Sequence, residues 1–485
     1  MKTTYVIVYP PISRAERYSS KFLGAAGGSQ VPLGVLYIAS YLENKGSGNY
    51  DVKFIDAEHQ QLSIDETINV IKGYITDNTY IALTSTSACF NRTVELAEKI
   101  KEVFPKIKII LGGVHVSALP EHAMSFKCFD YAVIGEGEVT TLELLEALNN
   151  NTDLELVDGI VYRQNGSLFF TKKRCPIKKL DELPFPARHL VKDIHSYVPT
   201  LCDYSTLPVT NIITSRGCPS LCTFCSHSVF GRTYRERSAK NIFEEIKEVI
   251  SKYKIREIHF NDDTFLLNKR RIYDLFNLCK ENNIKFSWSC FARVDNVDYD
   301  FLKFLKENGC WHIAFGVESG DPQVLLDIKK EISLDKVEEV INWCHKLKIK
   351  TKGHFIVGHP TDTLESIERT IKFALKVPFS DVVVTVSTPM PGSEQFTELI
   401  PEEEKLRLDY SKFNSWLSIV EPKGISGNEV LKKQKEFYKR FYLRPSVIFR
   451  YGLSLISFAG PRRFITLFMN FLYLVLPVKT QKKEP

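Results

Sequence analysis

No short-period repeat and no low-complexity tract interrupts the 485 residues, which excludes a repeat architecture and a largely disordered chain. Nor is there an apolar run long enough for a simple bilayer span. The best, FITLFMNFLYLVLPV at 464–478, is interrupted by Asn470 and preceded by Pro461, Arg462 and Arg463, whereas a spanning helix needs about 20 apolar residues. Charge of one sign is scarce. The net charge of +6 is spread along the chain, with a visible basic excess only from Lys432 through Arg463 to Lys483, so no nucleic-acid partner is expected. No charged-then-apolar signal segment precedes the first strand-like run at 4–8, so export is not expected and a reducing cytoplasm fits better. In that compartment the eleven cysteines do not read as a disulfide framework. Clustered ones point to metal or catalysis, and scattered ones such as Cys89, Cys128, Cys279 and Cys344 to small buried hydrophobes.

What is present is a globular composition, 44% hydrophobic and 25% charged, in a chain too long for one core. Two domains and an appendage are expected. Over residues 1–150, strand-like runs at 4–8, 52–55, 80–84, 107–111 and 131–134 alternate with helical patterns at 34–44, 64–75, 92–104 and 140–148. That alternation predicts an α/β, Rossmann-like, doubly wound and mostly parallel sheet with its ligand beyond the carboxyl ends of the strands. Residues 151–205 read as a linker holding a hairpin at 159–172 and the run LDELPFPARH. Within 206–400 a second alternation, with strands near 209–213, 257–261, 286–290, 312–316, 351–357 and 382–386, predicts a partial (β/α)6 barrel of the TIM type. Residues 401–485 form a helical C-terminal extension.

The strongest chemical signal is RGCPSLCTFC, in which Cys218, Cys222 and Cys225 follow a strand in a CxxxCxxC arrangement and Phe224 precedes the last cysteine. Iron–sulfur clusters of the 4Fe-4S kind normally take four thiolates, so three leave one iron open to a cosubstrate. A zinc site completed by His227, or three core cysteines, are the alternatives.

Here the sequence resembles the radical S-adenosylmethionine (SAM) superfamily over about 206–393. The resemblance implies that the open iron binds SAM and that an electron from the 4Fe-4S cluster splits it to a 5'-deoxyadenosyl radical. It rests also on HFNDDTF (259–265), CFARVD (290–295), FGVESG (315–320), FIVGHPTDT (355–363) and PMPGS (389–393). By resemblance, Phe224, Arg293, Glu318, Ser319, Gly358 and Pro360 border SAM. Residues 6–148 resemble the cobalamin-binding domain that precedes the barrel in one large subgroup, class B radical SAM methyltransferases among them. The matching segments are VPLGVLYIASYL (31–42), LTSTS (83–87), LGGVHVSALPE (111–121) and IGEGEVT (134–140). They imply cobalamin contacts from Pro32, Leu33, Gly34, Thr84, Ser85, Gly112, Gly113, His115, Ser117, Gly135, Glu136 and Gly137. A generic nucleotide-binding domain is the alternative reading. Cobalamin proteins with a histidine on cobalt carry Asp-x-His-x-x-Gly, and the nearest match here, Asp56-Ala-Glu-His59, lacks that pattern, so His59 is not expected to be a cobalt ligand.

The expected activity is therefore functionalisation of an unactivated carbon, by methyl transfer before ring formation or rearrangement, with a flavodoxin or ferredoxin as electron donor. RNA methylthio transfer would want a further N-terminal cysteine cluster, and only Cys89 and Cys128 are there. From Phe437 onward, Lys439, Arg440, Arg444, Arg450, Arg462 and Arg463 accompany a rising density of apolar residues. That pattern suits an interfacial helix at the inner face of the membrane, and hence a hydrophobic or lipid substrate, or else a helix packed on the barrel.

Overall fold

The computed structural model describes residues 2–17, 28–200, 203–445 and 447–448. The first sheet has the order β2-β1-β3-β4-β5-β6-β7. Its first five strands, β1 (Thr3–Tyr9), β2 (Tyr50–Asp56), β3 (Thr79–Thr84), β4 (Lys108–Gly112) and β5 (Tyr131–Val133), are parallel. Alternation along them puts Val6, Val8, Ile81, Leu83, Ile109 and Leu111 in one core and Tyr5, Ile7, Ala82 and Ile110 in another. A sheet apolar on both faces must be covered on both. Helices Leu33–Lys45 and Gly137–Asn150 cover one face and Ile64–Lys72 and Phe90–Val103 the other. The strand order reverses between β1 and β3, which opens a crevice beyond their carboxyl ends.

The hairpin expected at 159–172 forms as β6 (Ile160–Gln164) and β7 (Ser167–Phe170), and it adds antiparallel to the free edge of β5. The first sheet therefore runs past residue 150, because Ile160 and Val161, each 1% exposed, complete its two cores. The proline-rich run that follows is packed between the two halves. Arg188, 1% exposed, pairs at 2.6 Å with the fully buried Glu245 of the barrel and donates to the Asn211 carbonyl.

The second sheet is wholly parallel, β8 (Val209–Ile212), β11 (Glu257–Phe260), β12 (Ser287–Ala292), β13 (Cys310–Glu318), β14 (Lys350–Val357) and β15 (Asp381–Val386), in that spatial order. With six strands and two unpaired edges it is a partial barrel. Side-chain caps set the helix starts between strands: Ser238, Asn268, Asp298, Ser333 and Thr363 each accept a backbone N–H from the first turn.

The described part of the C-terminal extension settles against this barrel. In helix Gly427–Tyr442 the residues Val430, Phe437 and Phe441 are fully buried, and Tyr438 bonds through its hydroxyl to the Val384 backbone. Arg440 pairs with Glu368 and Glu436, and Arg444 donates to the Leu375 carbonyl. The interfacial reading of the stretch beginning at Phe437 is thus corrected over the described residues: its apolar face is barrel core, and these cations have protein partners. The run at 464–478 lies outside the described residues. Among the described residues no helix is long and apolar enough to cross a membrane. Phe437→Ala is expected to cost about 3–5 kcal/mol, read as a lower denaturant midpoint for the barrel.

Candidate functional site

The cysteine segment leaves β8 at the carboxyl end of the barrel. A two-residue strand, β9 (Ser215–Arg216), pairs antiparallel with β10 (Arg235–Glu236), so the chain between them is a loop closed at its base. Gly217 opens it at φ +84, where a Cβ would lie 2.3 Å from the Thr233 carbonyl oxygen, so only glycine fits. Cys222 is buried, Cys218 half-buried and Cys225 exposed. The loop is pinned by Thr223, which donates to the Ile328 carbonyl at 3.1 Å and accepts from the Gln395 amide at 3.0 Å. Phe224 packs on Val324, Leu325 and Ile328, with its ring 5.9 Å from that of His359.

Burial pushes the Cys222 thiol up, while Lys330 and Arg293 stand close enough to pull it back. Such cations favour the thiolate that metal binding requires. Burial first, and then Cys222 and Cys218, oppose ionisation of Cys225. Among the described residues, no three His, Cys, Asp or Glu side chains converge as one metal ion would demand. The zinc alternative with His227 needs that convergence, whereas a multi-iron cluster holds its thiolates at separate corners. The donor set fits the cluster.

Glu318 ends β13 after a register shift and sits at φ +68, a conformation costing about 1–3 kcal/mol for a non-glycine residue. Lys330 holds it there through a 2.8 Å ion pair, 7–9% exposed on its two sides. Arg293 bonds Asp295 and, at 3.1 Å, the Lys330 carbonyl. A line of charge, Arg293–Lys330–Glu318, thus stands beside Cys222. Ser319 is placed differently: 1% exposed, its hydroxyl bonds Thr370 and receives the Asp321 amide, which shapes the turn. The Gly358 amide donates to Asp362, and Pro360 is half-buried at the same strand end.

A cavity of about 650 Å³ lies beyond β1, β3, β4 and β5, walled by Pro32, Leu33, Gly34, Thr84, Ser85, Gly112, Gly113, Gly135, Glu136 and Gly137 from the first domain. Opposite stand Asn211 and Arg216 of the barrel and the segment 226–231 that follows Cys225. Gly113, at φ +103, lets the β4 loop approach Ser85, whose carbonyl oxygen would be 2.7 Å from an added Cβ. A Cβ added at Gly34 or Gly112 would meet only open space. Two wall atoms, Asn211 Oδ1 and His227 Nε2, are buried without a hydrogen-bond partner. An orphan of this kind costs about 1–3 kcal/mol, and the amide arms of a corrin are suitable partners. The walls fit cobalamin.

Two expected cobalamin contacts lie elsewhere. His115 does not line the cavity: it is fully buried, with Nδ1 3.1 Å from the Ser87 hydroxyl, Nε2 3.0 Å from His122 Nδ1 and its ring stacked on Phe90. Burial first, and then His122, push it down to about 3. Ser117 lies behind the wall, donating to the Gly113 carbonyl at 2.8 Å and accepting from the Gly135 amide at 2.9 Å, so it braces two loops that do line it. Glu136 is on the wall, but its carboxylate is engaged by Arg216, Arg235 and the Ile177 amide. His59 also reaches the wall. Its ring nitrogens bond the hydroxyls of Ser29 and Ser196, and the ring stacks on Tyr197 at 3.7 Å. Reduced cobalt in the full chain is accordingly expected to show no superhyperfine splitting from a protein imidazole nitrogen, and His59→Ala to leave the electron paramagnetic resonance spectrum unchanged.

Lys330, Asn211 and Arg216 were not expected. Arg216 could have been singled out, since it stands two residues before Cys218 in the quoted motif. Lys330 carries no local signal.

Comparison with known proteins agrees with this architecture. Residues 212–374 match the Radical SAM superfamily and residues 20–145 the B12 binding domain. The chain is 31% identical over 447 residues to the uncharacterized methyltransferase PH0819 of Pyrococcus horikoshii, covering 92% of this chain and 94% of that protein. It is 28% identical over 438 residues to the anaerobic magnesium-protoporphyrin IX monomethyl ester cyclase of Rubrivivax gelatinosus, covering 87% and 76%. Among solved structures, the cobalamin-dependent SAM radical enzyme OxsB with aqua-cobalamin bound superposes with a TM-score of 0.65 at 20% identity, over 84% of this chain and 56% of OxsB. The chain thus spans little more than half the length of OxsB. With a B12-binding sheet ahead of a radical SAM barrel and that extent of identity to PH0819, the chain belongs to the cobalamin-binding radical SAM family, whose cofactors are a 4Fe-4S cluster, SAM and cobalamin.

Proposed function

We propose that the chain is a radical SAM methyltransferase that modifies an unactivated carbon. Cys218, Cys222 and Cys225 are the cluster ligands; Phe224, Arg293, Glu318, Ser319, Gly358 and Pro360 border SAM; the ten wall residues of the first domain border cobalamin. When bound, the cofactors supply one-electron cleavage of SAM and a transferable methyl group. The observation that carries the reading is the shared wall: the chain leaving Cys225 becomes, at 226–231, the lining of the cobalamin cavity. Lys330 and Arg293 hold positive charge beside the thiolates, and Lys330 also fixes Glu318. The two sheets, facing each other across the cavity, keep water from reactive carbon. A low-potential one-electron donor such as flavodoxin or ferredoxin is the partner this chemistry requires.

The kinship to the Rubrivivax cyclase favours a second reading, ring formation without methyl transfer. Anaerobic incubation of the reconstituted full chain with methyl-labelled SAM, cobalamin and a cell extract separates the two. Labelled product with deoxyadenosine supports methyl transfer; deoxyadenosine with an altered but unlabelled product supports cyclisation. The lipid substrate was read from the stretch beginning at Phe437, whose described residues pack on the barrel and whose run at 464–478 lies outside the described residues, and the barrel wall carries a different reading.

A further inference from the structure

Side chains alternate along the barrel strands, so the residues that do not face the helices face the lumen. Ile258, Trp288, Ile313 and Phe355 belong to the core between sheet and helices. Their neighbours His259, Ser289, His312, Lys352 and His354 therefore point inward. The lumen of a parallel barrel is ordinarily filled by bulky branched side chains. Here it is polar.

Its upper part is accessible: Phe291 is 44% exposed with its ring 5.9 Å from that of His354, and His354, Ile356 and Val383 are half-buried. Its lower part is closed and charged. Lys352 pairs with Asp203 and with Asp381, and Glu257 accepts from the Ser205 and Thr206 amides and from Trp311. Asp203 and Asp381 thus share one ammonium, while Glu257 is held by hydrogen-bond donors. His259 lies 3.2 Å from Glu257 and adds a hydrogen bond there. His312, 6% exposed, and His354 each hold a buried Nε2 without a hydrogen-bond partner. Burial and then Lys352 keep both imidazoles neutral, His312 down to about 3, so neither offsets the acidic excess. At the top of the same column the charge of Glu318 is already matched by Lys330.

We propose that this lumen is the substrate site and that it takes an amine, with an apolar segment against Phe291, Ile356 and Val383 and a protonated nitrogen donating to Nε2 of His312 and His354 above the acidic floor. The assignment rests on the radical SAM reading of the barrel and narrows it to a substrate class. A carboxylate head would meet uncompensated negative charge, and a wholly apolar one would leave both imidazole nitrogens unpaired in a dry site.

The test uses the anaerobically reconstituted full chain and two probes that share a phenethyl group and differ in the charge of the head, phenethylamine and 3-phenylpropionate, followed by equilibrium dialysis. The amine is expected to be retained at least about tenfold better, and His312→Phe or His354→Phe to lower its affinity about tenfold, the cost of one charge-assisted hydrogen bond. Iron content and circular dichroism check folding; if His312→Phe fails them, His312→Gln, which keeps a polar acceptor, is expected to retain more amine than His354→Phe. Equal or stronger binding of the carboxylate, no binding of the amine to wild type, or amine binding indifferent to both histidines overturns the proposal. SAM cleavage is measured in the same sample. Amine binding without cleavage sinks the proposed function and leaves the lumen site standing; cleavage without amine binding does the reverse.

Discussion

Replacing Cys218, Cys222 or Cys225 by alanine, one at a time, is expected to abolish SAM cleavage and strip most of the iron. The reason is arithmetic as much as geometry. A cluster of this kind normally has four thiolates; with three available, loss of one leaves two irons open, and neither the cluster nor the orientation of SAM survives. The loop itself should persist, because it is held by Thr223, by the β9–β10 pair and by Phe224 on its apolar seat, none of which uses a cysteine sulfur. Variants are therefore expected to be folded and iron-poor, with deoxyadenosine formation at background. Cys279 and Cys344 serve as controls. They are buried in the barrel core at 3% and 0% exposure, so alanine there costs about 1 kcal/mol in packing and leaves iron untouched. Wild-type cleavage in any loop variant, or iron lost only on changing Cys279 or Cys344, would falsify the ligand assignment.

The two sheets and the cysteine loop were legible because each is encoded locally. Tyr5 to Val8 and Ile109 to Leu111 announce strands apolar on both faces, and three cysteines within eight residues need no tertiary information. Much of the site was not local. His115 sits in a motif that walls the cavity, yet the short helix Val114–Ala118 turns its ring inward to His122, and no periodicity foretells that turn. Glu136 was expected to serve a cofactor at a helix start, but its partners Arg216 and Arg235 come from another domain some 80 and 99 residues away. Glu318 was found by resemblance, while its φ of +68 and its Lys330 partner follow from a register shift invisible in sequence. The polar lumen was readable in part, since His259, His312 and His354 recur on three strands, but only the assembled sheet shows that they share one face.

Arg216→Met is expected to destabilise the chain by about 3–5 kcal/mol and to lower cobalamin retention with it. Arg216 is 5% exposed; one of its terminal nitrogens donates to Glu136 at 2.7 Å and the other to Glu138, each carboxylate side chain 4% exposed. Methionine fills the space but leaves Glu136 with Arg235 and the Ile177 amide, and Glu138 without the guanidinium that pairs it. Removing one partner of a buried ion pair is costly because the remaining charge has no water to return to. Lysine is expected to rescue little, since a point charge on a flexible stem cannot serve two carboxylates as a planar fork does. Adding Glu138→Gln to Arg216→Met should recover part of the loss, by deleting the stranded charge, and this recovery separates an electrostatic cause from a packing one. The functional effect follows from position: Arg216 is both a wall of the cavity proposed for cobalamin and the residue that ties the base of the cysteine loop to helix Gly137–Asn150. Cobalamin stoichiometry after gel filtration and the denaturant midpoint are the two measurements. A variant with wild-type midpoint and full cobalamin would mean that the domains are held by other contacts, with the Arg188–Glu245 pair the next to be examined.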